Sequence, residues 1–272
     1  IYLNFLKFLK AFFIFYERSK LKSKISKIIL SQTKKQKLIF SSQCRISFLY
    51  LLKYLKQKQK YKNEIIFPSY NLPEMVNVAT NLNFKVKYCD LNSENGSLDT
   101  VKLNSLISKK TAAVILTNMF NSYEEAKKVK KITKKNNIYL IEDNAIYFDN
   151  YTKIKNKKYY SGSVGDYTIY SFNIMKNISA MYGGALATND KKFINYYKNQ
   201  TSALPKLQTK LIFKQSLIFL ILKIMGLQVL YKTIFFHIIK FAHTNNIKIL
   251  LKLFYPSLKF KIIDFPKTYF SR

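Results

Sequence analysis

A chain of 272 residues that is 48% hydrophobic and 16% aromatic can bury a sizeable core, which excludes intrinsic disorder. Its formal charge of +33 comes from 47 Lys plus Arg against 14 Asp plus Glu, yet only Arg18, Arg45 and Arg272 are arginines. Phosphate-reading faces lean on the planar arginine fork, and Lys, Asn, Ile, Phe and Tyr, all with A/T-rich codons, are abundant together. The charge therefore reads as scattered composition bias, with no specific nucleic-acid partner.

Cys44 and Cys89 are too few for a disulfide framework, so a reducing, cytoplasmic setting is expected. His237 and His243 stand six apart with no carboxylate cluster beside them, which assembles neither a zinc site nor a Ser-His-Asp triad. A start at Ile1 and a stop at Arg272 without a tail are expected of a piece of a longer chain.

In chain order, residues 1–34 read as an N-terminal helical segment. Residues 35–190 alternate β-rich and helix-like runs, the pattern of an α/β domain. Seven strands are predicted, at 38–42, 64–69, 85–91, 111–119, 137–143, 166–172 and 183–188. Helices are predicted between them at 44–59, 73–82, 98–107 and 122–136. The last has Ser122 as its cap, Glu124 and Glu125 in its first turn, lysines later, and Asn136-Asn137 at its end. Residues 146–165 are polar and tyrosine-rich and read as a long loop.

From 191 to 272 the strand signal fades, and the segment reads as helical, basic and apolar, leading into an incomplete C-terminal domain. Residues 211–239 are interrupted by Lys214, Lys223 and Lys232, so no apolar stretch reaches the length of a spanning helix. Amphipathic helices covering a core or a partner subunit are the first reading of this stretch. A peripheral membrane face, with lysines snorkelling beside an anionic bilayer, is the second.

Ligands of open α/β sheets collect at the carboxyl ends of the strands. Ser41-Ser42-Gln43 closes the first strand and opens a helix, a place to offer hydroxyls and N–H groups to a phosphate. Asp143 ends an apolar strand. Ser171 and Lys176 lie just beyond another, and Gly183-Gly184 follow in a chain with only six glycines. Each has a plain reading alone, as a turn, a helix cap or a solvated lysine. Together they match one chemistry, pyridoxal phosphate catalysis, which uses a phosphate cradle, an acidic partner for the ring nitrogen and a lysine Schiff base.

These residues resemble the DegT/DnrJ/StrS-type nucleotide-sugar aminotransferases, over about residues 38–190. The resemblance rests on Gly165-Asp166, Ser171-Phe172-Asn173, Lys176, Gly183-Gly184-Ala185 and Thr188-Asn189-Asp190. Glu142-Asp143-Asn144-Ala145, Phe67-Pro68-Ser69-Tyr70-Asn71 and Ser41-Ser42-Gln43-Cys44-Arg45 add to it. It implies an aspartate-aminotransferase-like (fold type I) large domain with a mostly parallel seven-stranded sheet, the C-terminal small domain being incomplete.

The resemblance further implies pyridoxal 5'-phosphate as cofactor, with Lys176 as its covalent carrier, Asp143 on the pyridinium nitrogen and Ser171 on the phosphate. Ser42, Gln43 and Cys44 would line the phosphate turn, and either Tyr70 or Leu72 aligns with the ring-stacking position. Lysine rather than histidine at 176 favours amino transfer over sugar dehydration. Glutamate as amino donor, a nucleotide-linked keto-sugar as acceptor, a role in surface polysaccharide synthesis and a homodimer follow from the same likeness.

This chain departs from the family pattern at Ile146, where Gln or His is usual, at Gln43 and Cys44, where a glycine turn is usual, and at Asn118 and Asn121, where His and Gly are usual. The competing readings are a non-catalytic relative that keeps the fold for binding, and a basic membrane- or RNA-binding protein.

Overall fold

Apolar runs such as Ala112–Leu116, with no exposed surface at any position, belong to strands covered on both faces. The computed structural model describes residues 18–119, 123–146, 148–173, 176–178, 180, 182–205 and 208–248. They fall into two compact units that divide between residues 207 and 208.

The first unit opens with α1 (Arg18–Thr33), β1 (Lys37–Ser41), α2 (Cys44–Lys58), β2 (Glu64–Pro68), α3 (Pro73–Asn81) and β3 (Lys85–Cys89). It continues with α4 (Thr100–Leu106), β4 (Thr111–Thr117), α5 (Tyr123–Lys135) and β5 (Tyr139–Asp143). After these come β6 (Tyr151–Ile154), β7 (Lys157–Tyr160), β8 (Tyr167–Ser171), β9 (Gly184–Thr188) and α6 (Lys191–Thr201).

Seven of these strands form one sheet in the order β1-β9-β8-β5-β4-β2-β3. Strands β8, β5, β4, β2 and β3 pair in parallel, while β9 is antiparallel to both its neighbours. All seven predicted strands are present, and the chain has the mostly parallel α/β architecture expected of it.

Strand alternation divides the core between two faces. Ile65, Phe67, Ala113, Ile115, Ile141, Ile169 and Leu186 point to one face, which α2, α3 and α6 cover with Phe48, Leu52, Ala79 and Phe193. Ile66, Val114, Leu116 and Leu140 point to the other, under Leu103 of α4 and Ala126 and Val129 of α5. α5 has Glu124 and Glu125 in its first turn and Lys134 and Lys135 in its last, complementing the helix dipole. Its expected cap, Ser122, lies outside the described residues.

Three elements differ from the sequence reading. Residues 151–160 are a hairpin and not loop, with Tyr151 opposite Tyr160 and a turn in which Lys155 and Asn156 are both left-handed. Its short strands, Tyr-Thr-Lys-Ile and Lys-Lys-Tyr-Tyr, carry no buried apolar face, and cross-strand rings hold it instead, Tyr151 against Tyr160 with Lys158 stacked on Tyr151.

The sheet unit also runs past residue 190, because α6 packs Phe193 and Tyr197 against Tyr54 and Tyr50 of α2. Nor is the helix preceding the sheet a separate segment, since Ile29 of α1 is buried with Tyr170, Phe172 and Ala185. Residues 1–17 lie outside the described part.

The second unit contains α7 (Thr209–Met225), then α8 (Gln228–Leu230), a π-helical turn (Tyr231–Phe235) and α9 (Phe236–Thr244). The first of these helices, α7, is not amphipathic in the expected sense. Among the described side chains of this unit only Ser216, Phe219 and Ala242 are buried, and Phe213, Leu217, Ile221 and Ile224 form an exposed stripe. Apolar residues occupy most directions around α7, with the exposed Lys210 and Lys214 near its amino end. No single described helix is long and apolar enough to cross a membrane.

Candidate active site

Parallel strands β4, β5 and β8 bring their carboxyl ends to one edge of the sheet, in register, with Thr117 beside Asp143 and Asp143 beside Ile169. β8 ends at Ser171, opposite Gly184 at the start of β9. Lys176 lies in the connection between these two strands. That connection is pinned at its base by the Phe172 N–H on the Gly183 carbonyl (2.9 Å) and by the Lys176 N–H on the Asn173 carbonyl (3.0 Å).

Asp143 is 5% exposed. Its Oδ1 accepts the Ala145 N–H at 2.9 Å, which closes a tight turn after the strand. Burial pushes its carboxyl above the ordinary carboxylate range, and the Ala145 N–H and the Lys176 charge only partly oppose that. The carboxylate is thus held where a cation would be welcome.

Across the sheet edge, β1 turns through buried Ser41 and Ser42 into α2. Ser41 Oγ donates to the Gln43 carbonyl (2.7 Å) and accepts from Ser47 Oγ (2.6 Å), which fixes the turn. Gln43 is the N-cap residue of α2 in extended conformation, and no side chain caps the helix. Gln43 also bridges to Gly183. The start of α2 therefore abuts the start of β9, so closely that a Cβ on Gly184 would lie 2.4 Å from the Cys44 nitrogen.

Cys44 is buried, and its thiol is pushed up by burial and by the Asp143 carboxylate, with Lys176 and Arg45 acting the other way. A thiol so held stays protonated and is not a nucleophile. Asp143 and Lys176, from two other elements, are thus among its electrostatic neighbours.

Glu142 is the residue whose role the sequence reading missed. It is fully buried. Its Oε1 accepts from the Gly162 N–H (2.9 Å) and Asn118 Nδ2 (3.1 Å), and its Oε2 from the N–H groups of Val164 (2.9 Å) and Gly165. One carboxylate therefore clamps the loop between the hairpin and β8. Gly162 belongs in that loop by geometry, with φ +90° and a Cβ position only 2.6 Å from Thr168 Cγ2. The available signal was a second acid beside Asp143 at the end of an apolar strand.

The departures from the family pattern have identifiable places. Asn118 joins Glu142 to Asn144, its Nδ2 donating to both at 3.1 and 2.6 Å. Ile146 is half-buried. Asn121 lies outside the described residues. Tyr70 and Leu72, the two stacking candidates, are 63% and 47% exposed. Tyr70 lines a shallow cleft with Pro68, Leu91, Leu98 and Thr117, the last of which is the register neighbour of Asp143. The fold puts Asp143, Ser171, Ser42, Gln43 and Cys44 at one edge of the sheet, with Lys176 in the connection beyond β8 and Tyr70 exposed beyond the carboxyl end of β2.

The donor set fits pyridoxal phosphate. Asp143 suits a protonated ring nitrogen, Lys176 a Schiff base, and the uncapped start of α2 with Ser42 and Ser171 a phosphate.

Comparison with known proteins agrees on the architecture. A transaminase of Campylobacter jejuni acting on UDP-4-amino-4,6-dideoxy-N-acetyl-beta-L-altrosamine is 30% identical over 125 residues, 45% of this chain and 32% of that protein. Helicobacter pylori PseC, an aminotransferase involved in pseudoaminic acid biosynthesis, superposes with a TM-score of 0.57 at 19% identity, over 67% of this chain and 48% of that one. The Escherichia coli GDP-4-keto-6-deoxy-D-mannose-3-dehydratase with bound hydrated PLP superposes with a TM-score of 0.53 at 21% identity, over 66% and 48%. The chain spans about a third of the length of the curated relatives it matches. A family model matches residues 35–204, which take in the whole sheet and every site residue described above, and the chain belongs to the DegT/DnrJ/EryC1/StrS aminotransferase family.

Proposed function

We propose that this chain forms the cofactor-binding part of a pyridoxal-phosphate-dependent aminotransferase, which moves an amino group from glutamate to a nucleotide-linked keto-sugar for surface polysaccharide synthesis. The observation that carries the reading is the buried Asp143 carboxylate at the end of β5, next to parallel β8, whose continuation carries Lys176. Bound there, the cofactor supplies an electron sink. Asp143 keeps a proton on the ring nitrogen, because a buried carboxylate gains most from an adjacent cation. Lys176 Nζ would hold the cofactor and, as a free amine, would move a proton from the donor's α-carbon. The Ser42 turn, the start of α2 and Ser171 orient the phosphate.

A homodimer belongs to the same proposal. The family relatives that carry the names transaminase and dehydratase set the alternative reactions, and a lysine at 176 supports amino transfer.

Borohydride reduction of the purified full-length protein, followed by peptide mapping, tests the reading. A pyridoxyl group on Lys176, lost in Lys176→Ala while the far-ultraviolet circular dichroism stays unchanged, is the expected result. A pyridoxyl group on another lysine, or none, would overturn it.

A further inference from the structure

Eleven of the 21 exposed large apolar side chains among the described residues lie between Phe213 and Phe241. This concentration on 29 residues is a patch of the kind that marks an interaction surface. On α7 the exposed residues Phe213 (62%), Leu217 (50%), Ile221 (45%) and Ile224 (47%) recur every three or four positions and so share one face. On the helix that follows, Val229 (73%) and Phe241 (60%) are exposed at opposite ends.

Charge identifies what would cover such a surface. From Lys191 to Ile263 the chain has 13 lysines and no Asp or Glu. Lys210 and Lys214 stand on the same side of α7 as its exposed stripe, at its amino-terminal end, where long side chains can reach out to an anionic surface while the stripe is immersed.

Length and shape narrow the choice further. Ser216–Met225 and Gln228–Thr244 together have the hydropathy of a membrane span, but they are bent by 71° at the break. The two arms rise about 15 and 25 Å, and neither reaches the roughly 30 Å of a hydrocarbon core. The bend follows Gly226, where α7 ends.

We propose that residues 209–244 are an interfacial anchor which lays α7 and the helix after it into one leaflet of an anionic bilayer without crossing it. The lysines bind the headgroups and the apolar faces lie among the upper acyl chains. The inference is independent of the catalytic reading, since none of the site residues lies in this unit.

The chain contains no tryptophan, so Phe213→Trp and Phe241→Trp each introduce a single reporter. The full chain is mixed with vesicles of phosphatidylcholine containing one-third phosphatidylglycerol, or of phosphatidylcholine alone, and sedimented. Binding to the anionic vesicles, a blue-shifted reporter quenched by brominated acyl chains, and a loss of affinity of about tenfold or more on changing Lys210, Lys214, Lys232 and Lys240 to Gln are expected. Failure to sediment with anionic vesicles, equal binding to both vesicle types, or a blue shift without lipid that grows with protein concentration would overturn the proposal. The last outcome would show a second copy covering the face.

Discussion

Gly184 stands against the amino end of α2 with no room for a side chain, its Cβ position 2.4 Å from the Cys44 nitrogen and 2.6 Å from the Cys44 Cα. Both obstacles are backbone, so an added methyl group must move the helix start or the strand. Gly184→Ala is expected to cost about 1–3 kcal/mol of stability and to weaken pyridoxal phosphate binding by about tenfold, because the phosphate turn shifts. Denaturant titration and a fluorescence binding titration measure the two effects. Unchanged cofactor affinity would separate the turn from phosphate binding.

Asp143→Asn is expected to retain the cofactor while lowering amino transfer about a hundredfold or more, since a neutral amide cannot hold the ring proton. The cofactor-free protein supplies a second readout. Burial raises the Asp143 carboxyl in the folded state, so the fold binds more protons than the unfolded chain between the two values. Stability conferred on the cofactor-free fold is therefore lost as pH rises from the ordinary aspartate range through the raised value. The Asn variant removes this slope, and it should melt higher than the parent at neutral pH when the cofactor is stripped. Equal melting curves across that range would assign the slope to another group.

Glu142→Gln places amide hydrogens where the carboxylate now accepts from Gly162, Val164, Gly165 and Asn118. At least one N–H must lose its partner, at a cost of about 3 kcal/mol. Hydrogen exchange of the 162–165 amides should accelerate more than that of β2 or β4. Uniform acceleration over the sheet would mean that the clamp is not local.

Asp190 caps α6 through the Phe193 N–H at 3.1 Å and gathers the hydroxyls of Tyr167 (2.8 Å) and Tyr54 (3.0 Å) and the Lys58 ammonium (3.2 Å) on its other oxygen. Burial alone would raise its carboxyl, but the Phe193 N–H and then these partners outweigh burial and bring it below the ordinary range. The sign is therefore opposite to that of Asp143. Stability from Asp190 is present above the ordinary aspartate value and disappears as pH falls through the depressed one. Asp190→Ala should lose about 1–2 kcal/mol at neutral pH and little in acid, as read by urea titrations at both pH values.

Strands were legible in the sequence wherever burial on both faces forced continuous apolar runs, as at Glu64–Pro68 and Thr111–Thr117. The β6–β7 hairpin was not, because its four-residue strands, Tyr-Thr-Lys-Ile and Lys-Lys-Tyr-Tyr, lack an alternating apolar face and its turn uses Lys155-Asn156 in place of a glycine. Asp143 and Lys176 were legible as strand-end residues, since the ligand edge of an α/β sheet follows from topology alone. The Glu142 clamp was hidden, because a buried acid is recognisable only once four N–H groups are seen to converge on it. Tyr70 follows the carboxyl end of β2, as read from the sequence, and its ring is exposed beside the turn at Asn71, whose Nδ2 reaches Thr117 Oγ1 at 3.2 Å.

β1 touches the sheet only through β9, with Lys37 paired to Thr188. On a ribosome, β2 to β5 can pair soon after they emerge, whereas β1 must wait until residue 188 has been synthesised. The Ser42 turn hangs from the end of β1 and Lys176 from the connection into β9, so both sides of this edge of the sheet mature in one late event. A nascent chain stalled before Gly184 would have most of a sheet and no usable pocket, with β8 and β1 both exposing unpaired edges to neighbouring polypeptides.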